Sequence, residues 1–247
     1  FLKYCSKLKI LDCPNSKEIT NEGLKHISDI QKLNLKYNYN ITDEGLKYIS
    51  KVQKLNLKHN DNITDKGLKY ISDIRKLNLK YNYNITDEGL KYISKVQKLI
   101  VNGSGITDNG LKKIPEIQIL DLNDGTNITD EGLRNIANMR ILILRSGGDR
   151  ITDEGLKYIP NIEKLHMRDN IKITDKGLKC MHNIRSIILN AGSLTDEGLK
   201  NIPGVKHLHL NFNKQITNEG LKNIPNIKYL HLTSNKNVTD EGLKYIP

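Results

Sequence analysis

Few side chains in this chain of 247 residues are of types and spacings that do chemistry, and they fall into two sets. The first is a group of imidazoles, His166, His207, His209 and His231. His207 and His209 alternate along one segment and therefore share a strand face, and His231 occupies the matching place one segment later, so three rings can approach one another as metal ligands. No carboxylate or thiolate completes that set, and surface histidines are far commoner than ligands. The second set is cationic: Lys32, Lys36, Lys54, Lys58, Lys76, Lys80 and Lys98, with Asn34, Asn56 and Asn78 between them and Tyr37, His59 and Tyr81 just beyond. Stacked ammonium groups repel one another, and an anionic surface relieves that repulsion. Catalysis finds no support. No nucleophile stands beside a base, no carboxylates are paired, and the Gly147-Gly148 pair belongs to no phosphate loop, so the chain reads as a non-enzyme without a cofactor.

What positions these residues is a repeat. The block Ile-Thr-x-x-Gly-Leu recurs with its glycine at 23, 45, 67, 89, 110, 132, 155, 177, 198, 220 and 242. Between blocks stands Ile/Val-x-x-Leu-x-Leu, as in Ile30, Leu33 and Leu35. Leu-x-Leu has the period of a strand with one buried face, while Leu46 and Ile49 mark one stripe of a short helix. Thr before each helix can accept a bond from a free backbone N–H as N-cap, and the Asp or Glu that follows suits the positive end of the helix dipole. Helices close at Ser28, Ser50, Ser72 and Ser94, or at prolines such as Pro115 and Pro160. Three residues past Leu-x-Leu stand Asn38, Asn60, Asn82, Asn170, Asn213 and Asn235, where buried amides can bond the backbone of neighbouring turns. Ser104, Gly125, Gly147 and Gly192 interrupt that ladder. A unit this short cannot bury its own stripe, so units must stack.

The run Leu57-Lys58-His59-Asn60-Asp61-Asn62-Ile63-Thr64-Asp65-Lys66-Gly67-Leu68 resembles the leucine-rich repeats of F-box/leucine-rich-repeat proteins, with Asn, Ser or Gly where that subtype carries cysteine. The resemblance implies an α/β solenoid, a curved right-handed superhelix with a parallel sheet on its concave face and short α or 3-10 helices on its convex face. It also implies that the concave face binds a partner. Residues 1–247 read as one array of about eleven repeats, cut at both ends, since neither end supplies a polar cap and Phe1, Leu2, Cys5 and Leu8 fall in the register of a helix. Residues 28–55 match 72–99 except for Gln31 against Arg75, the mark of a copied double unit.

The balance of 39 Lys and Arg against 28 Asp and Glu gives a net charge of +11 and favours acidic partners. No apolar run approaches the roughly 20 residues of a membrane span. Trp is absent, so the core is aliphatic. Three scattered cysteines, Cys5, Cys13 and Cys180, point to a reducing, intracellular and cytoplasmic setting. The Asn-x-Ser/Thr triplets at Asn40, Asn62, Asn84, Asn102, Asn127 and Asn237 follow from the repeat. Beyond the lysine columns the face changes to Ile100, Asp121, Ile141, Ile143 and Ile188 with Arg145, Lys164 and Arg168, expected as an exposed apolar patch suited to a protein contact. The expectation is a protein-binding scaffold. Lys32, Lys36, Lys54, Lys58, Lys76, Lys80 and Lys98 steer an acidic protein, Asn34, Asn56 and Asn78 lie between them, and Tyr37, Tyr81, Ile143, Arg145, Arg168 and Ile188 complete the contact. The alternatives are the substrate-recognition part of an F-box-type ubiquitin ligase receptor and a nucleic-acid binder.

Overall fold

A computed structural model describes residues 2, 5–103, 105–122, 127–168, 170–189 and 192–247, with only the backbone at Asn211. Phe1, Ser104 and Gly125, three positions of the repeat register read from the sequence, lie outside the described residues. The chain forms two compact units, Phe1–Gly125 and Thr126–Pro247. In the first, the strands β1 (Ile10–Asp12), β2 (Lys32–Asn34), β3 (Lys54–Asn56), β4 (Lys76–Leu79), β5 (Lys98–Val101) and β6 (Ile119–Leu122) pair in parallel and in chain order. In the second, β7 (Ile141–Leu144), β8 (Lys164–Met167), β9 (Ser186–Leu189), β10 (His207–Asn211) and β11 (Tyr229–Thr233) do the same. Both units are parallel-sheet solenoids whose every turn returns through a four-residue helix such as Asp43–Leu46 or Asp196–Leu199.

Each turn buries the same side chains. In the second described turn these are Ile30, Leu33 and Leu35 from the strand side, Ile41 from the loop, and Leu46 and Ile49 from the helix. Full burial of one such side chain is worth about 1.5–3 kcal/mol, so aliphatic packing dominates the stability of the stack. Polar ladders then fix its register. Asn60 is fully buried and its Nδ2 donates to the backbone oxygens of Asn38 at 2.6 Å and Ile41 at 3.0 Å. Its Oδ1 accepts from Asn62 N–H. Asn38, Asn82 and Asn170 repeat this donor pair, and Asn213 and Asn235 donate to Leu194 O and Ile216 O, as the spacing predicts. A second amide ladder runs beside it: Asn62, Asn84 and Asn237 donate through Nδ2 to Tyr39 O, Asp61 O and Lys214 O. These are the triplet asparagines, so the nitrogen that a glycan would need already holds the preceding turn.

The threonine caps differ from expectation in an instructive way. Thr64, Thr86, Thr107, Thr129, Thr152, Thr174, Thr195 and Thr217 each accept the predicted bond from a helix N–H, but Thr20, Thr42 and Thr239 do not. The reason lies one turn upstream. Asp43 accepts Thr64 N–H at 2.8 Å on Oδ1 and the Thr64 hydroxyl at 2.6 Å on Oδ2, which leaves the Thr64 oxygen free to accept from Lys66 N–H. Thr42 and Thr239 instead face Asn21 and Asn218, whose Nδ2 donates to the hydroxyl, so that the oxygen accepts from the amide of the preceding turn and not from the helix N–H. No such partner precedes Thr20 among the described residues. The repeated acid is therefore a clamp between turns, and the helix-entrance role inferred from sequence is only part of its work. The repeated glycine belongs to the same clamp, because a Cβ at Gly67 would lie 2.2 Å from Asp43 Oδ1.

Candidate functional site

The open sheet face of the first unit carries three columns set by strand register. Lys32, Lys54, Lys76 and Lys98 are paired across β2 to β5, and Ile119 of β6 follows them. Asp12, Asn34, Asn56, Asn78, Ile100 and Asp121 form the next column. Because side chains alternate across a strand, Lys36, Lys58 and Lys80 stand in a third column on the same side. Lys32, Leu33, Asn34, Lys54, Asn56, Lys76, Asn78, Lys98, Ile100 and Asp12 line a shallow trough of about 350 Å³ across these strands.

The electrostatics of this face are one-sided. On the helix side, many lysines are neutralised within a turn, among them Lys25 by Glu22, Lys91 by Glu88 and Lys157 by Glu154. Among the described residues none of Lys32, Lys36, Lys54, Lys58, Lys76, Lys80 and Lys98 forms an ion pair. The asparagines add donors and few acceptors. Asn34, Asn56 and Asn78 each spend Oδ1 on the backbone N–H two residues on, at Lys36, Lys58 and Lys80. The amide N–H groups of Asn56 and Asn78 have no hydrogen-bond partner among the described residues, and that of Asn34 donates to Asp12 Oδ1 at 2.8 Å. Asp12 is the acid that sequence reasoning passed over. Its signal was available, since Asp12 holds the Asn34 place of the preceding turn.

Beyond the third column Tyr37, His59 and Tyr81 form a continuous stack, with ring centroids 4.5 and 4.3 Å apart. All three have left-handed backbone, φ 62°, 61° and 66°, which costs about 1–2 kcal/mol per non-glycine residue and belongs to the repeat, since Asn15, Phe212 and Ser234 share it at the same place of other turns. The ammonium groups of Lys36 and Lys80 lie over the rings of Tyr37 and Tyr81 at 4.6 and 5.0 Å. Burial in the stack, followed by the positive charge of Lys58, lowers the pKa of His59, which disfavours a further cation beside the lysines. One turn further the pattern stops: Asn102 replaces lysine, is buried, and accepts Tyr81 N–H on Oδ1. Its burial also removes it as a glycan acceptor.

The second unit has a different face. Ile141, Lys164, Ser186, His207 and Tyr229 form one column, and Ile143, His166, Ile188, His209 and His231 the next. Ile143 and Ile188 are half-buried, a correction to the exposed patch expected from sequence. The register explains it, since His166 stands between them and covers both flanks. With Leu144, Arg145, Arg168 and His166 they line a recess of only about 40 Å³. The exposed large apolar side chains among the described residues of this unit are instead Ile171, Phe212, Tyr229, Leu243 and Tyr245.

Two of the imidazoles meet. The rings of His209 and His231 are tilted 41° to one another with centroids 4.0 Å apart, and His231 Nε2 bonds the Thr233 hydroxyl. His207 packs edge-on against Tyr229. Among the described residues no three His, Cys, Asp or Glu side chains are placed to share a metal. His166 Nε2 lies 3.0 Å from Ser186 Oγ, a pair that the sequence did not reveal because the two residues sit on adjacent strands. Burial, reinforced by Lys164 and Arg145, lowers the His166 pKa to about 4, so the neutral ring is favoured and the same cations oppose an imidazolium there. The cysteines Cys5, Cys13 and Cys180 are free, and no helix among the described residues is long and apolar enough to cross a membrane.

The sequence model of the family described as Leucine Rich repeat matches residues 26–50, 48–72, 73–94, 92–114, 117–137, 158–181, 205–224 and 223–246. Among solved structures the chain is similar to an internalin C2 from Listeria monocytogenes, with 27% identity, 73% of this chain and 80% of that one covered, and a TM-score of 0.59. It is also similar to an internalin F of the same organism, with 18% identity, 100% and 87% covered and a TM-score of 0.66. A chain of the crystal structure of the Rad7 and Elc1 complex in yeast aligns with 17% identity, 95% and 78% covered and a TM-score of 0.57. No curated protein sequence matches the chain significantly.

Proposed function

The chain belongs to the leucine-rich-repeat family, and on that premise we propose that it is a non-catalytic protein-binding scaffold whose first unit takes an acidic partner on its sheet face. One contrast carries the reading. Many lysines on the helix side, such as Lys25, Lys51, Lys91 and Lys95, are paired with carboxylates, whereas none of the seven in the sheet columns has an ion-pair partner among the described residues. Seven unpaired ammonium groups on a rigid sheet leave their favourable Coulomb energy to be gained on association. Each exposed pair contributes about 0.2–1 kcal/mol, so several together give a salt-sensitive affinity and fast electrostatic encounter. Rigidity adds to this, because the columns are held by strand register and the second lysine column is held over the aromatic stack, so little ordering is needed on binding.

Two charge-reversed variants with the same net charge test the reading. In one, Lys32, Lys54 and Lys76 become Glu; in the other, Lys66, Lys69 and Lys112 on the helix side do. Fluorescence anisotropy against a labelled polyglutamate and a labelled oligouridylate should show at least tenfold weaker polyglutamate binding by the first variant and little change for the second. Equal losses in both would make the attraction one of net charge and overturn the site. Tighter binding of the oligouridylate, with a steep loss of affinity between low and moderate salt, would replace the acidic protein by nucleic acid.

A further inference from the structure

The dimensions of the trough narrow the partner further, and this inference rests on the acidic-partner reading above. Parallel strands lie about 4.8 Å apart, so Lys32, Lys54, Lys76 and Lys98, paired in register across β2 to β5, present charges at about 0, 4.8, 9.6 and 14.4 Å. An α-helix laid across the strands rises 1.5 Å per residue, and acids at i, i+3, i+7 and i+10 on one stripe fall at about 0, 4.5, 10.5 and 15 Å. The two ladders agree within about 1 Å, which a flexible lysine stem absorbs. An extended peptide does not match. Its same-face side chains repeat every 6.6 Å or so, and its fourth acid overshoots Lys98 by more than about 5 Å.

The width agrees as well. The column of Lys32 and the column of Lys36 are four residues apart along the strand, or about 13 Å, and a helix with its side chains is about 10–12 Å across. A helix seated over the asparagine column is therefore flanked by lysines on both sides. Beneath it Asn56 and Asn78 present amide donors, their oxygens being committed to Lys58 and Lys80 N–H. The Tyr37, His59 and Tyr81 stack closes the far side. The ends of the trough differ: Asp12 stands at one and Ile100 at the other.

We propose that the first unit binds an acidic amphipathic α-helix of its protein partner, about three turns long, lying across β2 to β5. Its acids follow an i, i+3, i+7, i+10 stripe, a basic residue lies towards Asp12 and an apolar one over Ile100. The test uses three labelled Ala-rich peptides. One carries four Glu on that stripe, a second has the same composition with the Glu spread around the helix, and a third keeps the stripe but is broken by two prolines. Anisotropy titration of the whole chain should show the striped helix binding at least tenfold more tightly than either other peptide. In the chain carrying Lys54→Ala and Lys76→Ala, with circular dichroism unchanged, that preference should disappear. Equal binding of all three peptides overturns the helix while leaving the acidic-partner reading standing. Failure of these peptides and of polyglutamate alike overturns both, and an oligouridylate that binds more tightly than the striped helix overturns the protein partner.

Discussion

Replacing Asp65 by Asn changes a single atom of the clamp between two turns, and the chain contains its own controls for the result. Asp65 accepts Thr86 N–H at 2.9 Å and the Thr86 hydroxyl at 2.6 Å, which frees the Thr86 oxygen to cap Glu88 N–H at 3.2 Å. In D65N the side chain should adopt the arrangement of Asn21 with Thr42, in which the oxygen still accepts the Thr N–H at 3.1 Å but Nδ2 donates to the hydroxyl and the cap is lost. Two bonds to a charged acceptor, worth about 1.5–3 kcal/mol each, become neutral bonds worth about 0.5–1.5 kcal/mol. The lost cap adds about 1 kcal/mol, and half-exposure of the site reduces the whole. The expected destabilisation is about 1–3 kcal/mol by these measures, and the reverse change, N21D, should stabilise by a similar amount. Because the chain lacks Trp, urea unfolding is followed by far-ultraviolet circular dichroism and tyrosine fluorescence, with agreement of the two probes checking that the transition is two-state. If D65N and N21D both leave the midpoint unmoved, the carboxylate is not what frees the cap, and the account of the clamp fails.

Three further outcomes follow from the same contacts. Asn60→Ala removes three bonds from a fully buried ladder position and should cost about 3–4 kcal/mol at about 1 kcal/mol or slightly more per bond, read from the urea midpoint; a loss below 1 kcal/mol or so would count against the ladder. Gly67→Ala should destabilise despite the roughly 1 kcal/mol that Ala gains over Gly in a helix, because its Cβ meets Asp43 Oδ1 at 2.2 Å; in a D43A background the same change should become neutral or favourable, and a double-mutant cycle showing no coupling refutes the contact. His166, with its pKa lowered to about 4, should give no imidazolium signal in NMR titration at pH 6. Since the unfolded chain binds this proton more readily than the folded one, the stability it contributes is complete above the ordinary histidine pKa and declines as pH falls from about 6.5 towards 4. For a half-buried, partly screened ring this amounts to about 1–2 kcal/mol, and His166→Gln should flatten that part of the stability profile.

The solenoid was legible before any coordinates, because its physical cause is local and repeated. Leu-x-Leu can bury only one face, Leu46 and Ile49 only one stripe, and neither satisfies itself within one turn. The asparagine ladder was legible for the same reason: a polar residue at a fixed place in an apolar unit must find backbone partners. The lysine columns of β2 to β5 could be listed from the sequence, since register in a stack follows the repeat. The cause of the missing caps at Thr42 and Thr239 could not, because it lies in which atom of Asn21 or Asn218 faces the hydroxyl one turn away. Nor could the half-burial of Ile143 and Ile188, the lowered pKa of His166 beside Lys164 and Arg145, or the tilted contact of the His209 and His231 rings. Residue type and period determine which side chains share a face, since both are properties of the chain. Whether such a side chain is covered, charged or free to donate depends on the atoms that the neighbouring turn brings within 3 Å or so, and only the folded stack supplies those.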